Sequence, residues 1–320
     1  MFLLAAVGCS APVAPPTPGA FPVEGVRQLT TDSAYYQDLI WSPDSRLLAA
    51  TRCPVVNAEP RCLHQQDTVL LSPETATQDH VDFGSISPET IAGRPIAWSP
   101  QRDEVLLYVE ARAPGDQGVS TSRYSYVLFN PATGQFEALS IPGTAIAWDV
   151  AGERLLSVQG AEAGGLALGW LVMESGEFVP ELTLSEREGS MGPYALSSDG
   201  QALLRADSPL VNLCNQVDKY RIGSNSPFEP YLSRSCFPSW SPDGSMLVYA
   251  EKDRPEDLPS RLVIIQADGS NPRSLFGGET ISGLSSPAWS PDGRWIAFTR
   301  TGLGNTNAVY LAPVPGSSPP

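Results

Sequence analysis

The five-residue phrase Trp-Ser-Pro-Asp-Gly stands at residues 240–244 and again at 289–293. Such a phrase can do little except turn. Proline pre-sets φ at the second turn position, Asp tolerates the third, and Gly supplies the left-handed geometry that follows. The segments around the second copy, "PAW" before and "WIAFTR" after, carry the apolar and aromatic bias of half-buried strands. A tight hairpin over Ser290–Gly293 is therefore expected, with Asp292 as a turn residue rather than a catalytic acid.

Worn copies extend the repeat. "IWSPDSRLLAAT" begins at Ile40, "AWSPQRDEVLLYVE" at Ala97, "AWDVAGERLLSVQ" at Ala147 and "ALSSDGQALLRA" at Ala195. The aligned anchors are Trp41, Trp98, Trp148, Leu196, Trp240 and Trp289, spaced by 57, 50, 48, 44 and 49 residues. Periods of this length, each holding about four short strands, mark propeller blades. In every unit an apolar strand follows the turn. Third strands then read "DTVLLS", "YSYVLFN", "LGWLVME", "RLVIIQAD" and "NAVYLAP", while the fourth unit, with "DKYRIG" and "FEPYLS", fits least well. The last unit runs out after its third strand, and "GVRQLT" from Gly25 is an outer strand with no blade of its own. A ring that borrows this strand leaves no open sheet edge at its seam. The expected fold is all-β: a six-bladed propeller over residues 26–314, closed by its N-terminal strand, with a signal and tether before it (residues 1–25) and a short tail after it (315–320).

The repeat resembles that of TolB-type propellers, and related repeats occur in the propeller domains of prolyl-oligopeptidase-like peptidases. The resemblance covers nearly the whole chain and implies a fold, since propellers host many functions. TolB proteins add an N-terminal α/β domain and those peptidases a hydrolase domain. With the propeller read over residues 26–314 of 320, neither activity is expected to transfer.

The N-terminal stretch "MFLLAAVGCSAPVAPPTPGA" is a short apolar run, then Gly8-Cys9, then a Pro-rich segment. It resembles a bacterial lipoprotein signal, which implies lipidation at Cys9 and an extracytoplasmic, membrane-anchored protein. The apolar core is short and no Lys or Arg precedes it, as expected if the true start lies upstream of Met1. Residues 10–24 would then form a stiff tether. Apart from Cys9 the cysteines are Cys53, Cys62, Cys214 and Cys236, an even number with three possible pairings. Cys53 and Cys62 bracket the loop between the second and third strands of the first blade. Cys214 lies in the equivalent loop of the fourth, and Cys236 begins the fifth. Loops joining strands two and three emerge on the same face as blade-to-blade connections. The pairs Cys53–Cys62 and Cys214–Cys236 are therefore expected, in an oxidising compartment.

The chemistry is sparse. Among 320 residues the histidines are His64 and His80, and no Gly-x-Ser-x-Gly elbow occurs. No phosphate-binding Gly-rich motif is present, and "DRPEDLP" from Asp253 lacks the alternating ligands of a calcium loop. No catalytic residue, metal or cofactor is expected from these patterns. A net charge of −15 argues against nucleic acid and against an anionic membrane surface as partners, since both require a positive face. What varies is one set of loops, at about 53–66, 113–122, 160–165, 207–216, 252–260 and 301–306. Variable loops on a rigid scaffold are where binding usually resides. Beside them Tyr35, Tyr36, Arg94, Tyr194 and Phe237 are expected to ring the channel mouth. The reading is a non-enzymatic binding module for a protein or glycan of the cell envelope. The alternative is a carbohydrate-active hydrolase or lyase, which needs carboxylates or a metal converging in the channel. A structural accessory of an envelope complex is a third reading.

Overall fold

The computed structural model of the chain describes residues 24–316 except 58, 61, 63–64, 114–120, 162–164, 186–191, 209–213, 225, 278–279 and 303–305. Six antiparallel sheets follow one another around a ring. In blade 1 the strands, from the axis outward, are Ala34–Trp41, Leu48–Val56, Asp67–Leu71 and Gln78–His80, with the short strand Glu59–Pro60 folded back on the second. Blade 2 comprises Thr90–Trp98, Val105–Ala113, Thr121–Asn130 and Gln135–Leu139. Blade 3 runs Thr144–Trp148, Arg154–Gly160, Leu166–Val172 and Phe178–Leu184, and blade 4 Tyr194–Leu196, Ala202–Ala206, Gln216–Arg221 and Glu229–Ser233. Blade 5 is Ser235–Trp240, Met246–Glu251, Arg261–Gln266 and Arg273–Ser274. Blade 6 has Leu284–Trp289, Trp295–Thr301 and Asn307–Pro313, and its fourth strand is Arg27–Gln28.

That fourth strand closes the ring as the sequence predicts. Arg27 faces Leu311 and Gln28 faces Tyr310, and the Leu29 amide donates to the Val309 carbonyl at 2.8 Å. Side chains reinforce the seam. Asn307 donates to the Tyr36 carbonyl at 2.8 Å and accepts from the Tyr36 amide, while Thr30 Oγ1 accepts from the Val309 amide at 3.0 Å.

The second and third strands read as continuous apolar runs because both faces of each blade are covered. Successive side chains point to opposite faces, so neighbours in sequence pack into different blade junctions. Val105 and Leu107 join blade 1 residues such as Leu70, whereas Leu106 joins Leu155 and Leu171 of blade 3. The buried clusters lie between blades, and the junction of blades 6 and 1 is filled by Leu48, Val69 and Leu71 against Val309 and Leu311. The anchor tryptophans belong to this packing. Trp41 Nε1 donates to the Ala288 carbonyl at 3.0 Å and Trp240 Nε1 to that of Ala195 at 3.1 Å, each reaching the preceding blade.

The repeated turn is held by one device. Ser290 Oγ donates to Asp292 at 2.6 Å and accepts from the Trp295 amide at 2.9 Å. Asp292 also accepts the Arg294 amide, and the Gly293 amide closes onto Ser290 O. The same clasp joins Ser42 to Asp44, Ser197 to Asp199 and Ser241 to Asp243. Blade 3 has Asp149 in the serine position, and its carboxylate takes the Glu153 and Arg154 amides directly.

Candidate functional site

The first strand of a blade lines the axis, and most of these strands are irregular. Pairing with the second strand slips between Gln37 and Ile40, Pro95 and Ala97, Ala145 and Ala147, Cys236 and Ser239, and Ser285 and Ala288. A bulge leaves a residue unpaired and re-aims its side chain. In blades 1, 5 and 6 that residue is Asp38, Phe237 or Ser286, with φ of 53°, 51° and 49°. Left-handed backbone costs about 1–2 kcal/mol for a residue with a Cβ, so three positions around one axis hold strain. All three line the central channel, a cavity of about 920 Å³.

Tyr35, Arg94, Tyr194 and Phe237 line this channel. Tyr36 does not. It is fully buried in the junction of blades 6 and 1, with its hydroxyl bonded to Asp32 and to Gln78. The bulge explains the correction. By resetting the alternation it puts Ala34 and Tyr36 on the same side as Leu39 and Trp41, and Tyr35 on the channel.

Both disulfides form, Cys53 with Cys62 and Cys214 with Cys236, across Cα separations of 4.9 and 5.6 Å. Each braces the mouth. Cys53 is the cross-strand partner of Tyr35, and Cys236 immediately precedes the bulged Phe237.

Charge in the channel is thin. Among the described residues that line it, the carboxylates are Asp38 and Asp149 and the cation is Arg94. Burial would raise the Asp149 carboxyl, but the Arg154 and Glu153 amides and the Arg154 guanidinium, 2.9 Å away, hold it below the usual carboxylate range. Asp149 is therefore committed to its turn. Asp38 accepts the Thr51 hydroxyl at 2.8 Å. Burial, with the Asp38 charge behind it, pushes the Tyr35 phenol up, so Tyr35 stays a neutral donor at ordinary pH. Arg94 lies 5.5 Å from the centre of the Tyr108 ring and makes no hydrogen bond or ion pair among the described residues. No group of three or more His, Cys, Asp and Glu among the described residues is placed to share a metal ion. His80 sits on the outermost strand of blade 1 against Asp67 and Gln78, away from the axis. Asp253 is held by Ser260 and Arg261. His64 and Cys9 lie outside the described residues. Among the described residues the channel's carboxylates are thus Asp149, committed to its turn, and Asp38, bonded to Thr51.

Comparison with known proteins agrees with this architecture. No protein-family profile matches the chain. It resembles the propeller of TolB from Acinetobacter baumannii at a TM-score of 0.53 and 13% identity, over 88% of this chain and 63% of that one. A putative TolB from Agrobacterium tumefaciens superposes at 0.55 with 19% identity, over 90% and 94% of the two chains. The chain is a six-bladed propeller with the TolB-type fold. This TolB-like fold is shared with oligogalacturonate lyase from Vibrio parahaemolyticus, at a TM-score of 0.56 and 11% identity over 91% and 94% of the chains. In sequence, 112 residues are 37% identical to the uncharacterized peptidase YuxL of Bacillus subtilis, covering 35% of this chain and 16% of that protein. A further 38% identity over 132 residues relates it to the uncharacterized protein Atu1656 of Agrobacterium fabrum, covering 38% and 43%. The matched stretch is less than half of either relative.

Sequence reasoning missed Asp38 and Ser286. No local pattern marks them, since Gln37 and Ser285 beside them are polar as well.

Proposed function

We propose that this TolB-like propeller is a non-enzymatic binding module, tethered outside the cytoplasm through a lipid on Cys9, that takes a protein or glycan of the cell envelope at the loop-face mouth of its channel. One observation carries the reading. Three residues are held in strained backbone around one axis, and each disulfide braces a residue of the same rim. Strain persists only where the surrounding structure over-determines it, and it clusters at sites that must present side chains in fixed directions. The rim offers Tyr35, Tyr194, Phe237 and Arg94, the aromatic-and-arginine composition of binding hot spots.

The test is photo-crosslinking in cells. A photoreactive phenylalanine in place of Tyr194 should give a discrete adduct that Phe237→Ala abolishes. The same group in place of Arg46, exposed on the turn face, should give none. Equal adducts from both faces would overturn the reading. Membrane fractionation tests the tether: Cys9→Ala should move the protein to the soluble fraction.

A further inference from the structure

Blade 2 stands taller than its neighbour. Its second and third strands have 9 and 10 residues, against 7 and 7 in blade 3. The pairing puts Arg94 opposite Tyr108 and Tyr108 opposite Tyr126, with Glu110 opposite Tyr124 one step higher. Directly paired residues, and residues two apart, share a face. These five side chains therefore form one surface, turned toward blade 3, where Tyr126 packs with Leu155 and Leu171. Above that contact the surface overhangs. Its tyrosines, Tyr108, Tyr124 and Tyr126, wall a cavity of about 380 Å³ whose other side is the connection through Ser140, Ile141 and Gly143, and Arg94 continues the same surface onto the central channel.

The cleft is preformed. The Tyr126 hydroxyl donates to the Gly143 carbonyl at 3.2 Å and accepts from the Ala145 amide at 3.0 Å. Gly143 has φ +92°, and a Cβ there would come within 2.2 Å of the Val158 carbonyl, so this wall cannot be rebuilt with a larger residue. Tyr124 and Tyr108 stack with centroids 5.5 Å apart and 3° between their planes. Tyr124 is 51% exposed, an open aromatic face at the rim. Glu110 is already matched, to Ser122 at 2.6 Å and Arg112 at 3.6 Å. Arg94 is not. It ends the tyrosine track, partly buried and lacking a carboxylate partner among the described residues. A guanidinium in that position favours a planar anion that it can grip with two donors.

We propose that this cleft is a saccharide subsite for a short glycan carrying an isolated carboxylate. The carboxylate docks on Arg94 and a sugar ring lies on the Tyr124–Tyr108 stack. An amphipathic aromatic face suits a ring with one apolar side and hydroxyls at its edge. The net charge of −15 favours a singly charged ligand over a polyanion, which the whole-molecule field would repel. The inference rests on the loop face being the binding face, and it names the chemistry one part of that face selects.

The probe is aldotriouronic acid, a neutral sugar chain bearing one uronate, titrated calorimetrically into the full-length protein beside its carboxyl-reduced counterpart and an acidic tripeptide. The acid should bind at least about tenfold more tightly than the reduced sugar. Arg94→Gln should erase that difference, so that both sugars bind alike. Tyr124→Ala should weaken both sugars about fivefold or more with an unchanged melting temperature, and Tyr124→Phe should restore binding. Absence of binding up to about 10 mM, equal affinity for acid and reduced sugar, or preference for the tripeptide overturns the proposal. Because Tyr194 and Phe237 are untouched, photo-crosslinking at Tyr194 reports separately on the mouth.

Discussion

The two faces of the ring are built on opposite plans. On the turn face a serine hydroxyl clasps an aspartate in blades 1, 4, 5 and 6 with nearly the same distances. On the loop face the described features differ: blade 1 carries a looped-back strand and a disulfide, blade 2 an overhanging tyrosine wall, and blade 4 a bridge to the next blade. A repeat that must only reverse the chain converges on one solution. Positions freed from that duty diverge, and those are where the unpaired Arg94 and the strained Asp38, Phe237 and Ser286 are found.

The contrast assumes that the closed ring holds both faces, and the severest test opens it. Removing residues 1–32 takes away the fourth strand of blade 6 and exposes an edge. Cooperative unfolding of the whole domain should be lost; a truncated protein that melts like the full one would refute closure by this strand. Next come the bridges, which act on one face only. They span 9 and 22 residues of sequence. On the loop-length account Cys53–Cys62 contributes ~2–3 kcal/mol and Cys214–Cys236 ~3–4 kcal/mol. Denaturant titration of the paired Cys→Ser variants should return that order and leave the clasps unchanged. Equal losses, or none, would break the ranking.

On the other face, Ser241→Ala removes the donor to Asp243 and the acceptor of the Met246 amide. It should cost about 1–2 kcal/mol without altering the adduct formed at Tyr194. A lost adduct would mean that the faces are coupled. The smallest effect is set by pH. The Ser197 hydroxyl and Gln201 amide hold Asp199 below the usual carboxylate range, and the Ser241 and Ser245 hydroxyls do the same for Asp243. Burial would raise Asp44, but the Ser42 hydroxyl and Arg46 outweigh it. Lowered folded-state values mean that the unfolded chain binds more protons in acid. The clasp contribution is complete above the unfolded value of about 3.9 and is lost as pH falls through the folded values. The melting temperature should therefore decline below about pH 4, with a shallower slope in Ser241→Ala; an unchanged slope would deny the clasp its share.

Blade number, the closing strand and the turn chemistry were legible because each depends on residues close in sequence and repeated in register. The bridges were legible for a related reason: strand order puts Cys53 and Cys62 at the feet of one loop, and Cys214 and Cys236 on one face. Tyr36 shows where that reasoning stops. Adjacent residues of a strand face opposite ways, and which of Tyr35 and Tyr36 meets the channel depends on a one-residue slip between Gln37 and Ile40. Nothing local announces that slip, because its partner strand begins after the turn. The tyrosine cleft was hidden for the same reason. Arg94, Tyr108 and Tyr124 lie on three different strands, and only register brings them together.

The seam has a mechanical consequence. Its closing strand pairs Arg27 and Gln28 in register with the strand beside it, and the Leu29 amide, the Thr30 hydroxyl and Arg27 lying over the Trp295 ring at 4.9 Å add one contact each. Tension applied to the chain ahead of Glu24 would reach this short strand before any other blade. It would detach the outermost strand of blade 6 while five blades kept their own fourth strands. The ring has a built-in weak link, and its place decides which part of the molecule yields first under load.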